Sequence, residues 1–238
     1  ALREQAEKFG FNNSFQVPLR AAQSRFPSDL DPAQTAMAAI GQFDVTATAL
    51  QMAMVGAGIG DNGQVMNPYL VSQTLSPELE VLSNAEPTSF SQAMSPANAA
   101  ELLSMMVSVV DQGTGSNAKI PGVVVGGKTG TAQTSPGKPP HAWFVGVAPA
   151  DVPGQAQVAV AVVLQNGGGA AEVSGNKLAA PIAKAVMEAV LDGCTNREAA
   201  DRLEMAVRTV EIHRANLFKK MGVKGAVELI NLLQTLDV

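Results

Sequence analysis

A glycine-rich run that follows a β-branched triplet constrains the fold of this chain more than any other feature. Val123-Val124-Val125 comes after Pro121-Gly122 and predicts a strand that enters a sheet. The run Gly126-Gly127-Lys128-Thr129-Gly130-Thr131-Ala132-Gln133 follows directly. Its glycines remove side chains at positions where another backbone could lie against the strand. The run therefore predicts an edge strand that presents an ammonium group and hydroxyls to a bound molecule.

The polar side chains of this run suit an anionic ligand. Lys128 supplies a positive charge, and Thr129 and Thr131 supply hydroxyls that can hold a carboxylate. Such a strand can also aim a backbone N–H at the oxyanion of an acyl-transfer intermediate. The alternative is a glycine-rich hairpin with an exposed lysine, because Lys-Thr-Gly is short enough to occur by chance. The flanking sequence has to distinguish the two.

Local signals elsewhere predict both helices and an antiparallel sheet, which is an α+β fold. The helices are predicted near residues 2–9, after a Thr48–Gln51 cap, and from Pro96 to about Asp111 after Ser95. The strands are predicted near 123–132, 142–148 and 156–165. Because the three strands are consecutive and joined by short connections, we expect them to pair as hairpins.

Other motifs flank the glycine-rich run in a fixed order. They are Ser24-Arg25-Phe26-Pro27, Ala38-Ala39-Ile40-Gly41-Gln42, Thr48-Ala49-Leu50-Gln51-Met52-Ala53, Gly63-Gln64-Val65-Met66-Asn67-Pro68, Gly113-Thr114-Gly115, His141-Ala142-Trp143-Phe144-Val145-Gly146 and Ala148-Pro149. With these motifs, residues 1–191 resemble the C-terminal half of a class B penicillin-binding protein transpeptidase domain. The resemblance implies a partial serine-acyltransferase fold of the β-lactamase-like type. It also implies a peptidoglycan stem peptide or a β-lactam as the ligand.

The resemblance also implies roles within the glycine-rich run. In that family the lysine of the Lys-Thr-Gly strand tunes protonation in the site, and the hydroxyls bind the carboxylate of a peptide stem or β-lactam. The backbone N–H of the second threonine completes the oxyanion hole. Carried over by position, the catalytic roles fall on Lys128, Thr129 and Thr131, and Gly130 joins the two threonines as a substrate-binding residue.

The family's two serine motifs, Ser-x-x-Lys and Ser-x-Asn, belong upstream of Lys128, and neither is found in the right place. Literal matches occur at Ser116/Lys119, Ser135/Lys138, Ser174/Lys177 and Ser174-Gly175-Asn176. A nucleophile belongs at the start of a buried helix with its lysine one turn later, whereas these serines lie among Gly, Pro and Asn. We interpret all of them as decoys and predict that Ser174 is a helix cap.

The chain opens at Ala1, and its first residues already resemble the middle of the transpeptidase domain. The simplest explanation is truncation, with the nucleophile-bearing part missing. Because an acyl-enzyme needs both a nucleophile and a base, the sequence leaves open whether the chain is an enzyme.

Residues 192–238 have the pattern of a helix-turn-helix. Thr195 and Glu198 form a capping box for a short helix, and a tight turn follows at Glu204-Met205-Ala206. A second helix then carries its apolar residues on one face and ends where Gly222 can cap it. Its other face is mostly basic, with the single acid Glu211, and such an asymmetry suits contact with phosphates.

Two stretches of this tail, Thr195-Asn196-Arg197-Glu198 and Arg208-Thr209-Val210-Glu211-Ile212-His213-Arg214-Ala215-Asn216, resemble the DNA-binding domain of LuxR-type response regulators. In that family the second helix enters the major groove of double-stranded DNA. The resemblance implies that the DNA-binding residues are Arg208, Thr209, Glu211, Arg214, Lys219 and Lys220. A solvated helix face is the alternative for each of them. A dimer through the C-terminal helix is a further expectation.

The stretch from Lys177 to Leu191 occupies the position of two different helices. Leu178, Ile182, Val186 and Val190 recur at helical spacing, as expected of the last transpeptidase helix packing on its sheet. The same stretch stands where a LuxR-type domain has its first helix, which is not recognisable here. One helix cannot satisfy two cores, so one module is incomplete or compromised. We predict two domains, 1–191 and 192–238.

Charge and composition agree with two folded modules. The chain has 16 basic and 21 acidic residues; residues 192–238 carry seven of each, which leaves nine basic against fourteen acidic in residues 1–191. The larger part is therefore not a nucleic-acid binder by bulk charge. Cys194 is the only cysteine, so it can form no internal disulfide and no thiolate cluster. We expect no cofactor, no metal, no membrane segment and no signal peptide.

Two functions remain from different classes. The first is a D,D-transpeptidase-like, penicillin-binding fragment fused to a DNA-binding unit; the second is a transcriptional regulator that uses a non-catalytic transpeptidase remnant as a scaffold. They imply opposite compartments, because peptidoglycan is cross-linked outside the cytoplasmic membrane and DNA lies inside it. The protein is expected at the extracytoplasmic membrane surface if the first dominates and in the cytoplasm if the second does. A chimera, a gene-model fusion and a decayed gene each explain the combination.

Overall fold

The computed structural model describes residues 1–17, 21–134, 137–169 and 172–193. The chain divides into two compact units, Ala1–Glu188 and Ala189–Val238, and nearly all described residues belong to the first. Residues 194–238, on which the helix-turn-helix prediction falls, lie outside the described residues. The boundary at 191/192 stays a prediction.

The described part is an α+β fold of five α-helices and seven strands, as expected from the sequence. The helices are α1 (Leu2–Lys8), α2 (Pro32–Ala39), α3 (Ala49–Gly60), α4 (Pro96–Asp111) and α5 (Ala180–Leu191). The strands are β1 (Gln64–Met66), β2 (Gln73–Leu75), β3 (Val81–Asn84), β4 (Ser89–Gln92), β5 (Gly126–Ala132), β6 (His141–Ala148) and β7 (Val158–Leu164). Short helical turns lie at Ser116–Ala118, Gln165–Gly169 and Gly175–Ala179. Within the described residues, no helix combines the length and the apolar character needed to cross a membrane.

Side-chain caps set the starts of α2, α3 and α4. The Thr48 side chain accepts a hydrogen bond from the backbone N–H of Gln51, and Ser95 accepts one from Asn98. These caps confirm the predicted starts of α3 and α4, because each satisfies a backbone donor that the first helical turn leaves unpaired. Helix α2 was not predicted, although Asp31 begins it with a full capping box.

The three predicted strands form one antiparallel sheet in the order β5-β6-β7. The predicted start of β5 at Val123 is wrong, since the strand begins at Gly126. Gly122, at φ 77°, turns the chain back so that the Val123 N–H donates to the carbonyl oxygen of Ile120 at 3.2 Å. The valine triplet thus closes a turn and places Val125 in the core, where it is 2 % exposed.

Helices cover both faces of this sheet. Helix α4 packs on β5 and α3 packs on β6 and β7, while the 175–179 turn lies against all three strands. A side chain added at Gly56 would meet Val145 at 3.0 Å, and one at Gly60 would meet Val147 at 3.6 Å, so α3 runs close to β6. The core below α4 contains Ile59, Leu103, Met106, Val147 and Ala150.

The buried face of α5 differs from the predicted one. Met187 and Ala183 are fully buried, and Met187 Sδ lies 3.4 Å from the position of a Cβ at Gly146 on β6. Ile182 and Val190 are 41 % and 51 % exposed, so the prediction that they face the sheet is wrong. The helix turns its small residues inward because alanine allows close approach to a sheet surface that already holds the buried Phe144.

The segment that follows α3 forms two small antiparallel sheets. Strand β1 pairs with β4, and β2 pairs with β3. Strand β3 is exposed along its whole length. Val65 on β1 is 1 % exposed and joins the core with Met54 and Ala93, so only the β2-β3 hairpin stands away from it.

Candidate functional site

Strand β5 carries the predicted site residues on an open sheet edge. Its register with β6 pairs Lys128 with Val145 and Thr129 with Phe144. Among the described residues β6 is the partner of β5 on one side, and β5 has no strand on its other side. Lys128 and Thr131 are exposed and Thr129 is half-buried. The edge therefore offers backbone hydrogen-bonding groups, hydroxyls and one ammonium to a ligand.

The side chains of β5 alternate between the two sheet faces. Gly127, Thr129 and Thr131 share a face with the Phe144 ring, and Lys128 lies on the other face. A Cβ at Gly127 would stand 2.4 Å from that ring, which is why no larger residue fits there. A Cβ at Gly130 would meet Trp143 Cβ at 3.1 Å. Because these two glycines have no side chains, Phe144 and Trp143 of β6 have room beside β5. The Thr129 and Thr131 hydroxyls stay accessible.

Lys128 is held beside the ligand edge by a bond to its own strand. Its Nζ donates to the carbonyl oxygen of Thr129 at 2.8 Å. The positive charge consequently lies next to the Thr129 backbone, where it favours a bound anion.

The Thr129 hydroxyl has a partner outside the strand. Thr114 Oγ1 and Thr129 Oγ1 are 2.8 Å apart, a hydrogen-bond distance in which either oxygen can donate. Thr114 lies in the loop that follows α4. The sequence placed Gly113-Thr114-Gly115 among the family motifs but assigned Thr114 no role, because its contact with β5 is not local in the chain.

Asn176 fastens the same loop to the turn before α5. Its Oδ1 accepts from the Asn117 backbone N–H at 2.9 Å, and its backbone oxygen accepts from Asn117 Nδ2 at 3.1 Å. Asn176 Nδ2 also donates to Ser116 Oγ at 3.3 Å. The literal Ser-x-Asn match therefore contributes an asparagine that holds a loop.

Two of the three decoy serines have structural partners. Ser174 Oγ accepts from the Lys177 backbone N–H at 3.2 Å and caps the 175–179 turn, which confirms the predicted cap. The Lys177 ammonium pairs with Glu172 instead of Ser174. Ser116 Oγ is the acceptor of Asn176. Ser135 lies outside the described residues.

Across the described ranges no three His, Cys, Asp or Glu side chains are grouped to hold a metal ion. His141, at the start of β6, accepts the Asn166 backbone N–H on Nδ1 at 2.9 Å.

The predicted DNA-binding residues all lie outside the described residues: Arg208, Thr209, Glu211, Arg214, Lys219 and Lys220.

Two families match the sequence. The family described as penicillin binding protein transpeptidase domain matches residues 1–188. The family described as bacterial regulatory proteins, luxR family, matches residues 183–233. The two matches overlap within α5.

Curated relatives are similar to the first part of the chain. Peptidoglycan D,D-transpeptidase PbpA of Mycolicibacterium smegmatis is 40% identical over 194 residues, which cover 80% of this chain and 39% of that protein. PbpA of Mycobacterium tuberculosis is 40% identical over 197 residues, with 81% and 39% covered. The chain thus spans about two fifths of the length of these relatives.

Solved structures give the same picture. Penicillin-binding protein A from M. tuberculosis, as a ceftriaxone acyl-enzyme complex, superposes with a TM-score of 0.73 at 38% identity, covering 79% of this chain and 42% of that one. A D,D-transpeptidase domain from Eggerthella lenta gives 0.68 at 37% identity, with 78% and 47% covered.

Proposed function

The chain belongs to the penicillin-binding protein transpeptidase family and also carries a LuxR-type helix-turn-helix region; from this membership we propose that β5 is the carboxylate-binding wall of a D,D-transpeptidase site. The observation that carries the proposal is the open edge of β5: among the described residues this strand pairs with β6 alone, and it carries one ammonium and two threonine hydroxyls. The ligand is the carboxylate terminus of a peptidoglycan stem peptide, or a β-lactam that resembles it.

Each group on the edge has a separate role in this proposal. The Lys128 ammonium attracts the ligand carboxylate, and the Thr129 and Thr131 hydroxyls donate hydrogen bonds to it. Gly130 leaves room for the ligand backbone beside the strand. The backbone N–H of Thr131 corresponds to the oxyanion-hole donor of the family motif. The roles of the two threonines and of Gly130 rest on matching positions in the family motif, and the role of Lys128 here rests on its positive charge.

These 238 residues do not present the family's Ser-x-x-Lys motif where a nucleophile is required. A site with only its carboxylate-binding wall binds its ligand without forming a covalent bond to it. We therefore expect reversible binding of a β-lactam by this chain. Intact-mass measurement after incubation with benzylpenicillin tests the covalent part, and the appearance of an adduct would contradict it.

Ligand-observed NMR tests the binding wall itself. We expect benzylpenicillin to bind more tightly than its methyl ester, which lacks the carboxylate charge. Thr129→Val should lower that preference, because valine keeps the shape of threonine and loses the hydroxyl. Thr88→Val is the matched control, since Thr88 is an exposed threonine whose hydroxyl accepts from Asn67. Equal binding of the acid and the ester by the unaltered chain would refute the proposal.

A second function is DNA binding by the C-terminal region, which is favoured by the LuxR-family match at residues 183–233. We infer that Arg208, Thr209, Glu211, Arg214, Lys219 and Lys220 contact double-stranded DNA. A mobility shift with random-sequence DNA at increasing salt checks this, because phosphate contacts make the affinity salt-dependent. A dimer through the C-terminal helix stays a prediction.

A further inference from the structure

We propose that Thr114 is a positioning residue that orients the Thr129 hydroxyl toward the ligand carboxylate; this inference rests on the proposed function of β5. Its starting point is the 2.8 Å contact between Thr114 Oγ1 and Thr129 Oγ1. The contact joins the loop after α4 to the strand that holds the binding wall.

The number of protons on the two hydroxyls determines the direction of the bond. Each threonine hydroxyl has one proton to donate and two lone pairs to accept with. An ionised carboxylate can only accept. When Thr129 gives its proton to the ligand, the bond at 2.8 Å requires Thr114 to be the donor and Thr129 Oγ1 the acceptor. The result is a chain from Thr114 through Thr129 to the ligand.

This chain improves Thr129 as a donor in two ways. The Thr114 proton occupies one Thr129 lone pair, so the Thr129 hydroxyl is kept from rotating its own proton toward the loop. A hydroxyl that accepts a hydrogen bond is also a better donor, because the bonds in a chain polarise one another. Thr114 therefore acts through Thr129 without needing to touch the ligand.

The loop that carries Thr114 is fixed by contacts on both sides. The Gly115 N–H donates to the Val109 carbonyl oxygen at 2.8 Å, which ties the loop to the last turn of α4. A Cβ at Gly115 would lie 3.4 Å from the buried Phe144 ring, so the loop passes close to the sheet. Asn176 holds Ser116 and Asn117 by hydrogen bonds, and these contacts are called the Asn176 clamp below. Thr114 lies between the end of α4 and these anchored residues, as a residue with a fixed partner requires.

The test compares two substitutions at position 114. Thr114→Val removes the hydroxyl and keeps the shape, whereas Thr114→Ser keeps the hydroxyl. The readout is the ratio of the affinities for benzylpenicillin and its methyl ester, measured by ligand-observed NMR on the full chain. We expect Thr114→Val to lower that ratio about fivefold, as the loss of one hydrogen bond does. Thr114→Ser should restore it, and the affinity for the ester should stay unchanged in both variants.

Several outcomes overturn the inference, and they separate it from the proposed function. If Thr129→Val lowers the ratio and Thr114→Val does not, Thr114 has no positioning role and the β5 proposal stands. If both ligands lose affinity equally in Thr114→Val, or Thr114→Ser fails to restore the ratio, Thr114 acts only on the structure of the loop. If the unaltered chain does not distinguish acid from ester, both proposals fail.

Discussion

Gly175 lies so close to Trp143 that a Cβ at position 175 would stand 2.2 Å from the Trp143 carbonyl oxygen. The same atom would meet the backbone N and O of Gly130 at 3.1 Å. The turn before α5 therefore presses directly on the backbone of the strand that forms the binding wall and on its neighbour. Only a residue without a side chain permits this contact.

We expect Gly175→Ala to destabilise the fold by about 3 kcal/mol or more, because backbone atoms cannot move aside as a flexible side chain can. Gly122→Ala is the matched control: its Cβ would meet nothing within 4 Å, although its φ of 77° is left-handed. That control should cost only about 1–2 kcal/mol. Urea unfolding of both variants measures the difference, and equal losses would contradict the close packing at Gly175.

Asn176→Ala should weaken the loop that carries Thr114. The substitution removes the Oδ1 and Nδ2 contacts to Asn117 and Ser116. We expect a loss of about 1–2 kcal/mol in unfolding free energy, as for two modest hydrogen bonds. Asn84→Ala removes a comparable contact, to Gln73, on the exposed β2-β3 hairpin. If the hairpin variant loses as much stability as Asn176→Ala, the clamp has no special importance.

Leu103→Ala should be among the more costly core substitutions. Leu103 is 2 % exposed and packs with Ile59, Met106 and Val147 between α4 and the sheet. The lost transfer free energy and the resulting cavity predict about 2–5 kcal/mol. Met105→Ala, two residues along α4 at 55 % exposure, should stay within about 0.5 kcal/mol. If Leu103→Ala and Met105→Ala lowered the urea midpoint by similar amounts, the result would contradict the packing of the Leu103 face of α4 on the sheet.

The carboxyl of Glu7 should titrate at a lower pH than an ordinary glutamate. The Asn12 side chain donates to it at 3.1 Å and Arg3 Nε donates at 2.8 Å, and these hydrogen bonds lower its pKa. Because the folded pKa is depressed, the stabilisation is present above the unfolded pKa and is lost as pH falls through the folded pKa. NMR titration of Glu7 measures this.

Asn12→Gly is the variant for that titration, since Asn12 has φ 64° and glycine adopts this conformation freely. We expect the pKa of Glu7 to rise toward its ordinary value, because the Asn12 hydrogen bond is the first cause of its depression. An unchanged pKa in Asn12→Gly would assign the depression to Arg3 instead.

Arg214→Ala should weaken DNA binding and reduce the slope of log affinity against log salt by about one, as the loss of one phosphate contact does. Arg3→Ala removes the same charge from α1 and should leave the slope unchanged. Mobility shifts at several salt concentrations measure both. An unchanged slope for Arg214→Ala would contradict the prediction that Arg214 contacts a DNA phosphate.

Local signals in the sequence predicted the elements that local hydrogen bonds create. The caps at Thr48 and Ser95 and the antiparallel hairpins of β5, β6 and β7 depend on residues close in the chain, so they could be predicted. The start of β5 could not be predicted in this way. Tertiary packing can override the strand propensity of β-branched residues, and here it places the valine triplet in a turn.

Contacts between distant residues were missed for a different reason. The Thr114–Thr129 bond and the Asn176 clamp depend on how α4 and the 175–179 turn pack on the sheet. The face of α5 was mispredicted because hydrophobicity favoured Ile182 and Val190, whereas the close approach to the sheet requires Ala183 beside Met187. The proposed roles of Lys128, Thr129 and Thr131 came from the motif and await the measurements above.

The close packing of α3 on β6 and β7 has a consequence for how quickly the chain folds. The β5-β6-β7 hairpins are local and can form early, but α3 precedes β7 by about a hundred residues, so docking the two closes a long loop. Gly56 and Gly60 have no side chains that could form contacts before α3 has docked fully. The lack of a side chain at these positions therefore matters only in the fully packed state. We therefore expect substitutions at these two glycines to accelerate unfolding and to leave the refolding rate nearly unchanged.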